Sequence, residues 1–200
     1  MLFTLDSVYV IVLSYLLGSI PFGLVITYLS GHGDIRKIGS GNIGATNVLR
    51  TGNKILALLT FLGDSLKAVA ACLLVKYSVG NEFLPLAAIF SVFGHLFPVW
   101  LKFRGGKGVA TAIGVYFVLS WQIGLIIVFI WVAVAFVTRY SSLSSLVAVG
   151  LAPVFAYKLT TPPYFYAMIV LAFFIYLKHI GNIQRLLIGT ESKIGQKRRK

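Results

Sequence analysis

The chain has 200 residues, of which 58% are hydrophobic and 12% charged, with a mean hydropathy of +0.90. A soluble domain cannot hide that much apolar surface, and several apolar runs reach bilayer-crossing length, so the composition specifies a polytopic membrane protein. The net charge of +13 is the excess expected of loops facing an anionic leaflet, and nucleic acid is set aside as a partner on that ground.

The N-terminus lacks the basic region and small-residue cleavage site of a secretory signal, so its apolar run is read as a retained helix. Apolar segments fall at about Val8 to Leu29, Ile55 to Lys76, Phe83 to Leu101, Val109 to Leu119, Ile123 to Val137, Leu143 to Tyr157 and Tyr164 to Leu177, separated by glycine, proline or charge. They predict an all-α fold of about seven transmembrane helices in a single domain over residues 1–200, with a basic tail from about 192. The last four segments fall short of the roughly 20 residues that a perpendicular crossing needs, so broken helices or polar flanks buried in protein are expected there. The single cysteine, Cys72, lies inside an apolar run and is assigned to packing.

Lysine and arginine fix a predicted orientation. With the N-terminus outside, the inner loops and tail hold Arg36, Lys37, Arg50, Lys54, Lys102, Arg104, Lys107, Arg139, Lys178, Arg185, Lys193, Lys197, Arg198, Arg199 and Lys200. Only Lys76 and Lys158 fall at outer ends, and Lys67 lies within a helix. This split of 15 against 2 predicts a cytoplasmic C-terminus and gathers the glycine-rich loops on the cytoplasmic face.

The first of those loops runs Asp34 to Arg50. Gly39, Gly41 and Gly44 allow close backbone approach, Ser40, Asn42, Thr46 and Asn47 offer hydrogen bonds, and Arg36, Lys37 and Arg50 bring positive charge. That combination suits a phosphate. The Gly39–Gly44 spacing matches a dinucleotide fingerprint formally, but no strand precedes it and Asp64 sits in an apolar helix.

The second constellation pairs His95 with Arg104-Gly105-Gly106-Lys107-Gly108; Gly108 stands where a Walker A loop requires Ser or Thr. His95 in an apolar run is read both as a functional residue and as a satisfied packing histidine. Asp64 and Lys67, three apart, are expected to pair on one helical face as structural glue. The third constellation spaces His179, Asn182 and Arg185 on one face, with Glu191 tying down a cationic tail, and the run Ser141–Ser145 near Arg139 reads as a helix cap. There is no Gly-x-Ser-x-Gly elbow, no metal-ligand cluster and no His-x-x-x-x-Asp pair, so neither a covalent intermediate nor a metal or other cofactor is expected.

Ser40-Gly41-Asn42-Ile43-Gly44-Ala45-Thr46-Asn47 with Arg50, Gly94-His95 through Gly105-Gly106-Lys107-Gly108-Val109-Ala110-Thr111, and His179-Ile180-Gly181-Asn182-Ile183-Gln184-Arg185 with Gly189 and Glu191 closely resemble the three cytoplasmic motifs of the bacterial PlsY family. The resemblance extends from Gly18 to Glu191. It implies a seven-helix inner-membrane enzyme that moves an acyl chain from acyl phosphate to the sn-1 hydroxyl of glycerol 3-phosphate, giving lysophosphatidic acid and phosphate. By the same resemblance Ser40, Arg50, His179 and Asn182 are the expected catalytic residues. Gly41, Asn42, Gly44, Thr46, Asn47, His95, Arg104, Gly105, Gly106, Lys107, Gly108, Ser144 and Arg185 are expected to bind substrate, and Glu191 to support the site. The expected partners are the two substrates and the lipid bilayer, with no obligate protein partner. A transporter would spread its ionisable residues along a path near the midplane, whereas here most polar motifs lie at one face.

Overall fold

Pro21 has no amide hydrogen, and the run predicted as one helix from Val8 to Leu29 divides beside it, into α1 (Leu5–Gly18) and α2 (Phe22–Leu29). The computed structural model describes residues 4–195, and each other predicted apolar segment holds one α-helix: α4 (Lys54–Ser78), α5 (Leu84–Leu96), α6 (Val109–Leu119), α7 (Trp121–Thr138), α8 (Ser141–Leu159) and α9 (Pro162–Lys178). The segment predicted from Phe83 to Leu101 leaves the α-helix at Leu96 and ends in a separate 3-10 turn, Val99–Leu101, after Pro98. Two short helices, α3 (Ala45–Val48) and α10 (Ile180–Leu187), fall in the polar stretches, and there is no strand among the described residues. Five spans are long and apolar enough to cross a membrane: Leu5–Leu29, Lys54–Ser78, Asn81–Leu101, Trp121–Thr138 and Ser141–Leu159. Joining Pro162–Lys178 to Ile180–Leu187 across a 61° bend makes six, and Val109–Leu119 is a shorter apolar helix.

The shortness of α6 has a structural reason. Ser65 Oγ donates to Ala110 O at 2.9 Å, so α6 begins beside the middle of α4 rather than beside its start. The chain from Lys102 to Gly108 therefore reaches into the bundle before α6 sets out, and 11 residues, about 16 Å of helix, complete the passage. A helix surrounded on all sides has no polar face, and residues Thr111 to Tyr116 are all buried.

Small residues let the helices approach closely. A Cβ on Gly18 would lie 1.9 Å from Ser91 O, one on Gly94 2.2 Å from Tyr15 O, and one on Gly114 2.3 Å from Ser65 O. Around these crossings the core gathers Ala68, Cys72, Ala88, Val92, Ala112, Ala148, Ala152 and Met168. Exposed Leu125, Phe129, Val132 and Phe136 form a stripe on α7, as lipid-facing positions at helical spacing should. The alternation of the helices gathers residues 30–53, 97–108, 139–141 and 179–195 at one end of the bundle.

Candidate active site

The first polar loop is built around Asn47. Its Oδ1 accepts from the Ser40 amide at 2.9 Å and from Ser40 Oγ at 3.2 Å, while its Nδ2 lies within 3.0 Å of Ile35 O and Ile38 O and 2.7 Å from Asn42 O. One buried amide thus closes the loop on itself, holding Ser40 outward. Gly39 has φ +57 and passes so close to this amide that an added Cβ would meet Asn47 Oδ1 at 2.5 Å, so only glycine fits there. Asn42 Oδ1 accepts from the Gly44 amide at 2.9 Å. Gly41, also left-handed, turns the chain back with its amide donating to Ile38 O.

The second loop is seated on the end of α5: the Gly105 amide donates to Leu96 O at 3.3 Å and the Gly106 amide to His95 O at 3.0 Å. Gly108, with φ +85, then turns the chain into α6 against Leu96, Val92 and Ile175. Lys107 between them reaches Asn182 Oδ1 at 2.5 Å. Burial pushes its amine down to about 8, with the nearby Arg185 and Arg50 acting in the same direction against Glu191.

The third segment closes the site. α9 stops at Lys178, and His179 sits at the bend, buried, its Nδ1 donating to Ile175 O at 2.8 Å. A carbonyl only accepts, so this bond puts the ring hydrogen on Nδ1 and leaves the lone pair on Nε2. Asn182 passes the contact on, its Nδ2 donating to Glu191 Oε1 at 2.6 Å. Glu191 also accepts from Ser142 Oγ at 2.8 Å and from Arg185 Nε at 2.6 Å. Burial raises the Glu191 carboxyl, but these three donors outweigh it and hold the group below the usual carboxylate range.

Most of the residues expected at the site are thus brought together, with some differences. Thr46 turns to Ser141, Oγ1 to Oγ at 2.9 Å, and so joins the first loop to α8. Ser144 is not brought in: its hydroxyl donates to Tyr140 O at 2.8 Å one turn back, whereas Ser141 and Ser142 face the site. That serine run is the first turn of α8, whose N-cap is Tyr140 without a side-chain bond. Arg104 lines a cleft of about 490 Å³ with Arg36, Trp100, Leu101 and Lys102, which Lys107 does not line. His95 is satisfied inside the bundle by Lys67, Nζ to Nδ1 at 2.9 Å. Asp64 and Lys67 form the predicted pair at 2.8 Å.

Ser192 is a residue the sequence reading missed. It accepts from Arg50 at 2.6 Å, and Ile194 exchanges bonds with Arg139, its amide donating at 2.7 Å to Arg139 O. The basic tail predicted from about 192 is therefore strapped across the site as far as 194; residues 196–200 lie outside the described residues.

The chain that carries this arrangement is similar to known proteins. The family model for glycerol-3-phosphate acyltransferase matches residues 8–189. The chain belongs to the PlsY family of glycerol-3-phosphate acyltransferases. A glycerol-3-phosphate acyltransferase of Mesorhizobium japonicum is 52% identical over 198 residues, covering 97% of this chain and 99% of that protein. One from Cereibacter sphaeroides is 54% identical over 186 residues, covering 93% and 92%. The crystal structure of PlsY, an integral membrane glycerol 3-phosphate acyltransferase, in its glycerol 3-phosphate form superposes with a TM-score of 0.88 at 39% identity, covering 94% of this chain and 96% of that one. Its lysophosphatidic acid form gives 0.87 at 38% identity. As in other PlsY proteins, the chain is an integral, multi-pass membrane protein and an acyltransferase.

Proposed function

We propose that the protein transfers an acyl chain from acyl phosphate directly to the sn-1 hydroxyl of glycerol 3-phosphate, releasing lysophosphatidic acid and phosphate. It does so as a seven-span inner-membrane protein with its N-terminus outside and its site and C-terminus in the cytoplasm. The single observation that carries this reading is the meeting of Lys107, from the second loop, with Asn182 on α10, close enough to the Arg50 of the first loop for Arg50 to depress the Lys107 amine. Two cationic loops around one buried amide suit two phosphate-bearing substrates.

In this reading Ser40, Asn42 and Arg50, with the amides of Gly41 and Gly44, hold the phosphate of the acyl donor, and Asn47 and Thr46 fix their loop. Lys107 and the amides of Gly105, Gly106 and Gly108 hold glycerol 3-phosphate, with Arg104 adding positive charge at the approach. His179 takes the proton: as the sn-1 oxygen attacks the acyl carbonyl carbon, the hydroxyl hydrogen passes to Nε2 and the bond between carbonyl carbon and phosphate oxygen breaks. Phosphate is a good leaving group, so positioning and charge stabilisation suffice without a protein nucleophile. Asn182 and Arg185 orient the acceptor, and Glu191 braces both.

Initial rates measured against both substrates test direct transfer. Intersecting double-reciprocal lines are expected, because both substrates occupy the site together; parallel lines, with acyl-enzyme detected by mass, contradict it.

A further inference from the structure

Three charged or titratable side chains lie inside the bundle below the second loop. Lys67 Nζ donates to Ile20 O at 2.6 Å, to Asp64 Oδ1 at 2.8 Å and to His95 Nδ1 at 2.9 Å, which accounts for its three hydrogens. Both side chains of the ion pair are 2% exposed. Ile20 is the residue before Pro21, in the break between α1 and α2, where its carbonyl accepts from the Phe22 amide at 3.2 Å and has a second lone pair for the ammonium. One ammonium therefore ties the α1–α2 break, the middle of α4 and the last turn of α5 to a single point.

A buried ion pair contributes little net stability over an apolar contact of the same volume, and inside a membrane it is costly. The geometry indicates another use. Lysine only donates, so His95 Nδ1 accepts and the ring hydrogen resides on Nε2. That edge of the imidazole faces the Gly105–Gly106 turn: a Cβ on Gly106 would lie 2.0 Å from Nε2. The same residue's carbonyl takes the Gly106 amide, so His95 holds the turn by both its backbone and its ring. Lys107 is the next residue, and its amine must meet Asn182 from this base.

We infer that Asp64, Lys67 and His95 are positioning residues that set the height of the Gly105–Gly106 turn and so place Lys107 for glycerol 3-phosphate. Asp64 and Ile20 fix the Lys67 ammonium, the ammonium fixes the orientation and tautomer of the imidazole, and the imidazole edge is the floor on which the turn rests. None of the three needs to touch substrate. The inference rests on the proposed assignment of glycerol 3-phosphate to the second loop.

The test is steady-state kinetics in lipid nanodiscs on the D64N/K67M double variant, which removes both charges together, and on H95F, which keeps a planar ring but offers Lys67 no acceptor. Each is expected to raise KM for glycerol 3-phosphate at least tenfold while KM for acyl phosphate changes less than threefold. A merely structural role would lower the folded yield or the melting temperature and leave both KM values of the folded enzyme unchanged, which overturns the inference. A cycle of H95F with Gly106→Ala adds a second readout: strong non-additivity in kcat/KM is expected, and additive effects contradict contact through the ring. Should D64N/K67M not fold, H95F and the cycle decide alone. Wild-type enzyme inactive with these substrates refutes the function proposed above; active wild type with unchanged KM in the variants refutes only the positioning role.

Discussion

Lys107 and Asn182, 75 residues apart in sequence, are joined Nζ to Oδ1 at 2.5 Å, and this bond is where the second loop meets the C-terminal segment. Asn182 uses its other end on Glu191, so a single amide transmits the position of the strapped tail to the cationic loop. Asn182→Ala would free the Lys107 amine to swing in the site. Misplacement of a binding group by about 1 Å is worth roughly a hundredfold in rate, and a loss of that order in kcat/KM is expected, together with a lower melting temperature because Lys107 and Glu191 both lose a partner. Activity within threefold of wild type would show that the bond does not position Lys107.

A pH dependence follows from Lys107. Its amine is held down to about 8 by burial, so below that pH it is charged and above it the charge is lost. Phosphate binds the charged form, hence affinity for glycerol 3-phosphate is full on the acid side of about 8 and weakens by up to about tenfold per unit above it. KM measured from pH 6 to 10 checks this. Lys107→Arg, which stays charged throughout, should remove the alkaline rise even though its overall affinity is lower.

His179 is proposed to act through Nε2, the nitrogen left with a lone pair by the bond from Nδ1 to Ile175 O. His179→Gln should lower kcat by on the order of a hundredfold or more, and the acid limb of the kcat profile should disappear with the imidazole. Near-native turnover with the acid limb intact would mean that a substrate phosphate oxygen accepts the proton.

Glu191 gathers Ser142, Asn182 and Arg185 on one carboxylate whose side chain is 7% exposed. Glu191→Ala leaves those donors without their partner, at a cost of about 1–3 kcal/mol for each one that stays buried. A lower melting temperature together with reduced activity is expected, and Glu191→Gln should recover most of the stability. The alanine variant melting like wild type would contradict the bracing role.

Much of this organisation could be read from the chain, and the exceptions share a cause. Hydropathy located all seven apolar segments, and the i, i+3 spacing of Asp64 and Lys67 was enough to pair them, because both signals are local. The partner of Lys67 in α5, His95, lies 28 residues away and needed the tertiary fold. The serine run at the start of α8 was visible, yet which serine faces inward depends on helix register: Ser142 reaches Glu191 while Ser144 bonds Tyr140 O. Ser192 was read only as the start of a basic tail, because composition alone does not reveal that Arg50 crosses to it. The break at Pro21 was hidden by the high overall hydropathy of the run on both sides, although Gly18, Ser19 and the missing amide hydrogen were there to be seen.

The most direct measurement is product formation by the purified protein in liposomes supplied with acyl phosphate and glycerol 3-phosphate. The account predicts lysophosphatidic acid and inorganic phosphate in equal amounts, only when both substrates are present, and formed far more slowly by the Arg50→Ala and Asn182→Ala variants. Phosphate release from acyl phosphate alone at the same rate, or no lysophosphatidic acid from wild-type protein, would contradict it.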